Sequence, residues 1–250
     1  MTEKIDKYKV QAALVRSFFD AFSHGVIESQ VEDRKEKTTP QLVKKLMLEH
    51  YEHIAPAFFD TMFFPLAAMN YKYEDIAALA REAQQRGDDM MALVRTACGN
   101  EAYYNAMVEE YKRNFSMLLA GKYLSNADHL EGYVRKAKEE TEASVDSDRA
   151  IELTVRVVMF AYVRGLRQTG EDARFDRSVH LRQVHPLRGA TLFRLMLDAM
   201  NILLLDEAVD FADAEAADLA SLFLKVCQTQ HNFTVMTNEM DRTYSELMKE

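Results

Sequence analysis

The sequence predicts an all-α chain, an antiparallel array of about eight or nine helices of ordinary length. Two observations lead there. Apolar residues recur with helical spacing almost throughout, and no stretch alternates convincingly with the period of a strand. Only eight Gly and four Pro punctuate 250 residues, so turns are few and helices long. A β-sandwich or barrel needs many more turns.

Taken in chain order, Val10, Leu14, Phe18, Ala21 and Phe22 form the first apolar stripe. Glu32 to Pro40 reads as a charged loop, with Thr39 as a helix cap and Pro40 at the first helical position. Gly87-Asp88-Asp89 and Gly99-Asn100 mark two turns. From Glu101 the stripe is Tyr104, Met107, Val108, Tyr111, Phe115 and Leu118, one face of a helix. Gly121 to Asp128 is a further turn, and Ser147 and Asp148 are N-cap types ahead of Ile151, Val155, Val158 and Tyr162. Gly170 to Pro186 is the longest polar stretch. Leu192, Leu195, Met196, Ala199 and Leu203 repeat the helical pattern, and the acidic stretch Asp206 to Ala216 is the last connection. No internal repeat stands out, and the chain reads as a single domain over residues 1–250.

Composition narrows the function classes. An apolar fraction of 48% is ample for a core. No apolar run reaches membrane-spanning length, and no basic-then-apolar leader opens the chain, so neither a membrane partner nor secretion is expected. Cys98 and Cys227 are too few for a disulfide framework or a metal knuckle and suit a reducing cytoplasm. A net charge of −9 disfavours nucleic acid as a partner.

Enzyme signatures are weak. His50 and His53 share a helix face and could ligate a metal, yet no Glu-x-x-His or His-Glu-x-x-His pattern accompanies them, so the expectation is no metal and no cofactor. Arg174 and His180 have the spacing of the Arg-x4-6-His motif of HEPN-type nucleases, but Phe175 follows the Arg where that motif carries a polar residue. A ligand-responsive helical regulator or a nuclease of that type is therefore a minor alternative. The chain is expected not to be an enzyme.

Three segments resemble 14-3-3 proteins in the family's order. Tyr104, Met107, Tyr111 and Arg113 match the register of the fifth helix of that family. Val184-His185-Pro186-Leu187-Arg188 looks like the Thr-His-Pro-Ile-Arg that opens its seventh helix. Gln230 to Thr237 looks like the Arg-Asp-Asn-Leu-Thr-Leu-Trp-Thr of its ninth. Tyr8-Lys9 and Val15-Arg16-Ser17 resemble its third-helix motif, with Phe19 where the family has Trp. The resemblance spans residues from about 8 to 240. It implies a 14-3-3-like cytoplasmic adaptor that binds phosphoserine or phosphothreonine motifs of client proteins in an amphipathic groove, regulating signalling through protein–protein interaction.

It also implies a phosphopeptide site. Lys9 and Arg16 are two turns apart on one helix and Arg113 comes from another. A phosphate with close to two charges and three acceptor oxygens suits such a set. Asn232 and Val235 match the residues that hold the peptide backbone and line the apolar wall. Asn114 stands where the family has a phosphate-holding Tyr, and Arg194 falls near its peptide-clamping Asn.

The departures suggest an alternative. About forty residues that precede the Tyr-Lys motif in the family and build much of its dimer are missing, so a homo- or heterodimer of the usual kind is in doubt. A segment at about 66–98 is longer than in the family, the stretch from 203 to 230 is shorter, and the chain has no Trp. A 14-3-3-shaped scaffold that binds unmodified partners without phosphate dependence is the second reading.

Overall fold

The computed structural model describes residues 3–30, 40–120, 143–168, 189–205 and 219–248. The expected turns at 121–128, 170–186 and 206–216 lie outside them. The described residues are helical almost throughout, as the apolar spacing predicts. In order they form β1 (Lys4–Asp6), α1 (Lys7–Gln30), α2 (Pro40–Glu49), α3 (Tyr51–Asn70), α4 (Tyr73–Arg86), α5 (Met90–Ala97), α6 (Glu101–Leu119), β2 (Ser144–Asp146), α7 (Ser147–Gln168), α8 (Gly189–Leu204), α9 (Leu219–Cys227) and α10 (Gln230–Leu247).

Local chemistry explains the helix boundaries. Pro40 opens α2, where its missing N–H costs nothing and its fixed φ suits a helix. The Asp6 carboxylate accepts from the N–H groups of Tyr8 (2.9 Å) and Lys9 (3.1 Å), capping α1. Asp89, Asn100 and Thr229 cap α5, α6 and α10, each accepting from the N–H three residues on. Gly87 ends α4 in the left-handed region at φ 74. Helix α7 begins at Ser147, so Ser147 and Asp148 belong to its first turn and do not precede it.

The two three-residue strands are a feature that apolar spacing could not reveal, since three residues are too short to alternate. They pair antiparallel, with Ile5 opposite Val145. The ribbon is closed reciprocally: Lys7 N–H donates to the Ala143 carbonyl (3.0 Å) and Ser147 N–H to the Glu3 carbonyl (2.9 Å). Each strand runs directly into a long helix. Near the far ends of those helices, a Cβ built on Gly25 would lie 2.2 Å from the Tyr162 carbonyl oxygen. One built on Gly165 would lie 2.1 Å from the Phe22 carbonyl oxygen. Contact at both ends in the same order means that α1 and α7 run parallel, in backbone contact at the glycine pair. These two longest helices therefore depart from the antiparallel neighbours expected of the array.

The other helices wrap this pair. Helix α6 runs alongside α1 in the same direction, with ring contacts at Tyr8–Tyr103 (4.4 Å) and Phe19–Tyr111 (5.3 Å). Helix α10 runs alongside α7 in the same way, joined at Asp148–His231 and Arg156–Glu246. Helix α3 crosses to α7 and runs against it: Asp60 pairs with Arg164, and the Arg156 guanidinium sits 5.3 Å from the Phe64 ring centre. Helix α8 correspondingly packs on α1. The N-terminal half, β1 to α6, and the C-terminal half, β2 to α10, thus each lend a helix to the other and share one apolar core.

Surrounded in this way, α1 and α7 are buried nearly all round, where a single stripe was expected. Ala12, Ala13, Leu14 and Val15 are consecutive and all buried, the mark of a central helix. Phe18 packs edge-on against Phe58 of α3 at 5.1 Å, and both are fully buried. Burying one such side chain contributes about 1.5–3 kcal/mol.

Candidate functional site

The residues expected to hold a phosphopeptide occupy several helices, and the structure engages many of them internally. Lys9 lies half-buried in the first turn of α1. Arg16, two turns on, is only 2% exposed, and its Nε donates to Asp20 Oδ2 at 3.3 Å. Arg113 is exposed on α6. Its neighbour Asn114 is buried and donates its amide to the Glu110 carbonyl (2.9 Å) and Glu110 Oε1 (2.8 Å). Arg194 is exposed on α8. Asn232 is buried on α10, its amide donating to the Cys227 carbonyl at 2.9 Å, where it closes the end of α9. Val235 is half-buried. Helices α6 and α10 pack on different long helices, so Arg113 and the Asn232–Val235 pair belong to different halves. His185, Pro186, Arg174 and His180 lie outside the described residues.

The His50 and His53 rings stand 6.4 Å apart, and burial followed by the neighbouring His53 pushes the His50 pKa down. Among the described residues no group of three or more His, Cys, Asp or Glu side chains could hold a metal ion. No described helix is long and apolar enough to cross a membrane. Both cysteines are buried, and burial pushes the Cys98 thiol up to about 12 and the Cys227 thiol up to about 11.

Two polar clusters join residues too far apart in the chain to form a sequence motif. In the first, the Lys7 ammonium bonds the Asn70 side-chain oxygen and lies 4.4 Å from the centre of the Tyr103 ring. Asn70 in turn donates to the carbonyls of Leu66 (2.8 Å) and Ala97 (2.9 Å). One side chain thereby ties together α1, α3 and α5. Burial pushes the Lys7 pKa down, against the opposing pull of Cys98.

The second cluster centres on Glu239, only 3% exposed on α10. Its carboxylate accepts from Arg242 Nε (2.7 Å), Thr243 Oγ1 (3.1 Å) and Arg156 Nη1 (3.3 Å). Arg156 also reaches Glu246 Oε2 at 2.8 Å. Burial disfavours the Arg156 charge, but hydrogen bonds and charge from Glu246 and Glu239 outweigh it and raise its pKa. A buried charge with this many partners is a structural cross-link between α7 and α10.

An aromatic run crosses three helices, exposed at Phe193 and buried at Phe223. Phe193 of α8, 39% exposed, meets Phe223 of α9 at 5.5 Å, which meets Phe233 of α10 at 6.2 Å. Leu224, 46% exposed, lies beside Phe223 in sequence, and the exposed Arg194 and Lys225 adjoin Phe193 and Leu224. Compared with protein-family models, curated proteins and solved structures, the chain matches none.

Proposed function

We propose that this chain is a non-catalytic adaptor that binds segments of other proteins on its helical surface without requiring a phosphate. The observation that carries this reading is the engagement of Arg16, Asn114 and Asn232. Arg16 is buried against its own helix, Asn114 is bonded to Glu110, and Asn232 is bonded to Cys227. All three are buried, so a phosphopeptide could reach them only by opening the helix packing around them, and leaving a buried polar group unpaired costs about 1–3 kcal/mol. The exposed Phe193 and Leu224 offer apolar surface for contact instead.

A second reading, the phosphoserine- or phosphothreonine-dependent adaptor of the 14-3-3 resemblance, is favoured by the position of Arg113 and Arg194 among the exposed residues. Arginine is the side chain best suited to bidentate phosphate contacts.

Fluorescence anisotropy separates the two readings. The probes are a panel of peptides, including Arg-Ser-x-pSer-x-Pro, each in phosphorylated and plain form. Equal affinity within binding pairs is expected. Binding that requires the phosphate and weakens in Arg113→Ala overturns the first reading in favour of the second. A panel with no binders removes the adaptor reading for these motifs.

A further inference from the structure

We infer that the chain is a tandem duplication of one folding unit, and that the α1–α7 contact is the homodimer interface of that unit, now supplied from within a single polypeptide. The partner that α1 fits is a second copy of its own unit.

Reciprocal geometry is the first support. The Lys7-to-Ala143 bond is matched by the Ser147-to-Glu3 bond, with both residue pairs exchanged at a spacing of 140. At the same spacing, Gly25 presses on the backbone at Tyr162 and Gly165 presses on the backbone at Phe22. A contact in which residue i meets residue j and the equivalents of both meet in return is the signature of a two-fold interface. The flanking helices obey the same operation. Helix α6 accompanies α1 as α10 accompanies α7, while α3 packs on α7 as α8 packs on α1.

Sequence echoes follow the same operation. Asp6, Val15, Arg16, Ala21 and Gly25 recur as Asp146, Val155, Arg156, Ala161 and Gly165. Leu66-Ala67-Ala68-Met69-Asn70 recurs as Leu197-Asp198-Ala199-Met200-Asn201, at a spacing of 131. Cys98, Met107, Glu110, Arg113 and Leu118 recur as Cys227, Met236, Glu239, Arg242 and Leu247, at a spacing of 129. The spacing changes between Gly25 and Leu66 and again between Asn70 and Cys98, so the changes of length fall between the matched segments and not within them.

Local conformation repeats as well. Gly99 at φ 79 precedes the cap Asn100 of α6, and Gln228 at φ 62 precedes the cap Thr229 of α10. Among the described non-glycine residues, Gln228 alone has positive φ. A left-handed backbone at a Gln is unfavourable in isolation, and it is accounted for as the inherited counterpart of a glycine turn. The charge clusters correspond too: Glu110 with Asn114 on α6 stands where Glu239 with Thr243 stands on α10.

Two-fold equivalence makes a specific demand on connectivity. If the halves are copies, residues 121–142, which join the end of α6 to β2, also suffice to join the end of α10 to β1. The test is a circular permutant that keeps all 250 residues in the order 143–250, 121–142, 1–120. It is expected to be a monomer with unchanged helical circular dichroism and a melting temperature within about 5 °C, because the same segment, with a few terminal residues added, closes an equivalent gap and closure entropy grows only slowly with length. A second protein, the full chain with a protease site inside 121–142 cut after folding, guards against a trivial failure. Its two pieces are expected to co-elute, folded, as a one-to-one pair. A permutant that fails while the cut chain stays folded overturns the equivalence of the halves. A cut chain that falls apart overturns the claim that their contact is a dimer interface.

Discussion

Replacing Gly25 by Ala sets two effects against each other. Helix propensity alone predicts stabilisation by about 1 kcal/mol, since Gly is a poor residue in a helix interior. The close approach of α1 and α7 predicts the opposite. The added Cβ would lie 2.2 Å from the Tyr162 carbonyl oxygen and 2.9 Å from the Leu166 nitrogen, and both are backbone atoms of the facing helix. No rotamer change relieves such a clash, so the helices themselves must separate by about 1 Å to restore van der Waals distance. A gap of that size forfeits a quarter to a half of each dispersion contact it opens. Overpacking of this kind costs about 1–3 kcal/mol, and the upper end applies where backbone must move. After the propensity gain, about 2 kcal/mol of destabilisation remains. At about 2–4 °C per kcal/mol for a chain of this size, the melting temperature falls by about 4–8 °C. Thermal melts followed by circular dichroism, with urea titrations beside them, measure this. Gly165→Ala is expected to match it, because its Cβ meets the Phe22 carbonyl oxygen at 2.1 Å. The double variant is expected to lose less than the sum, because the first methyl has already opened the contact that the second needs. An unchanged or raised melting temperature in either single variant refutes the close parallel packing.

Three further outcomes follow from the structure. Cys98 and Cys227 are expected to resist a thiol reagent at pH 8 in the folded protein and to react together on unfolding. Their native pKa values, about 12 and about 11, lie above the unfolded value of 9.0. The stability they contribute is therefore complete below pH 9 and drains away as pH rises through the native values, and a Cys98→Ala, Cys227→Ala chain should lose less stability across that window in urea titrations. Arg156→Ala removes one partner of the buried Glu239 carboxylate but leaves Arg242 and Thr243 in place, so it should cost about 1–3 kcal/mol, while replacing both Arg156 and Glu239 by apolar residues should recover much of it in the same assay. Gln228→Gly should raise the melting temperature by about 2–4 °C, by relieving a left-handed backbone of φ 62 at a residue with a side chain.

Much of the helical content was legible because it rests on local rules. The stripe from Tyr104 to Leu118, the cap at Asn100, the turn at Gly87 and the start of α2 at Pro40 are decided within a few residues of chain. Candidate site residues were less legible for the same reason. Asn232 looks like a peptide clamp in a linear motif, but the carbonyl it binds, Cys227, is exposed only by the left-handed turn at Gln228 between two helices. Arg16 looks like a surface cation until α6, α8 and α7 close around α1. The repeat was hidden because its spacing drifts from 140 to 129 along the chain and no single offset aligns both halves.

Helical character, many of the helix boundaries and the set of residues apolar enough to form a core are written into the order of residues along the chain. Those properties follow from periodicity, capping and turn chemistry, all short in range. Tertiary structure decided which helices meet. It set α1 parallel to α7, paired two strands 140 residues apart and turned Arg16 and Asn114 inward. Such choices depend on fit between distant surfaces, here the backbone contact that only Gly25 and Gly165 allow.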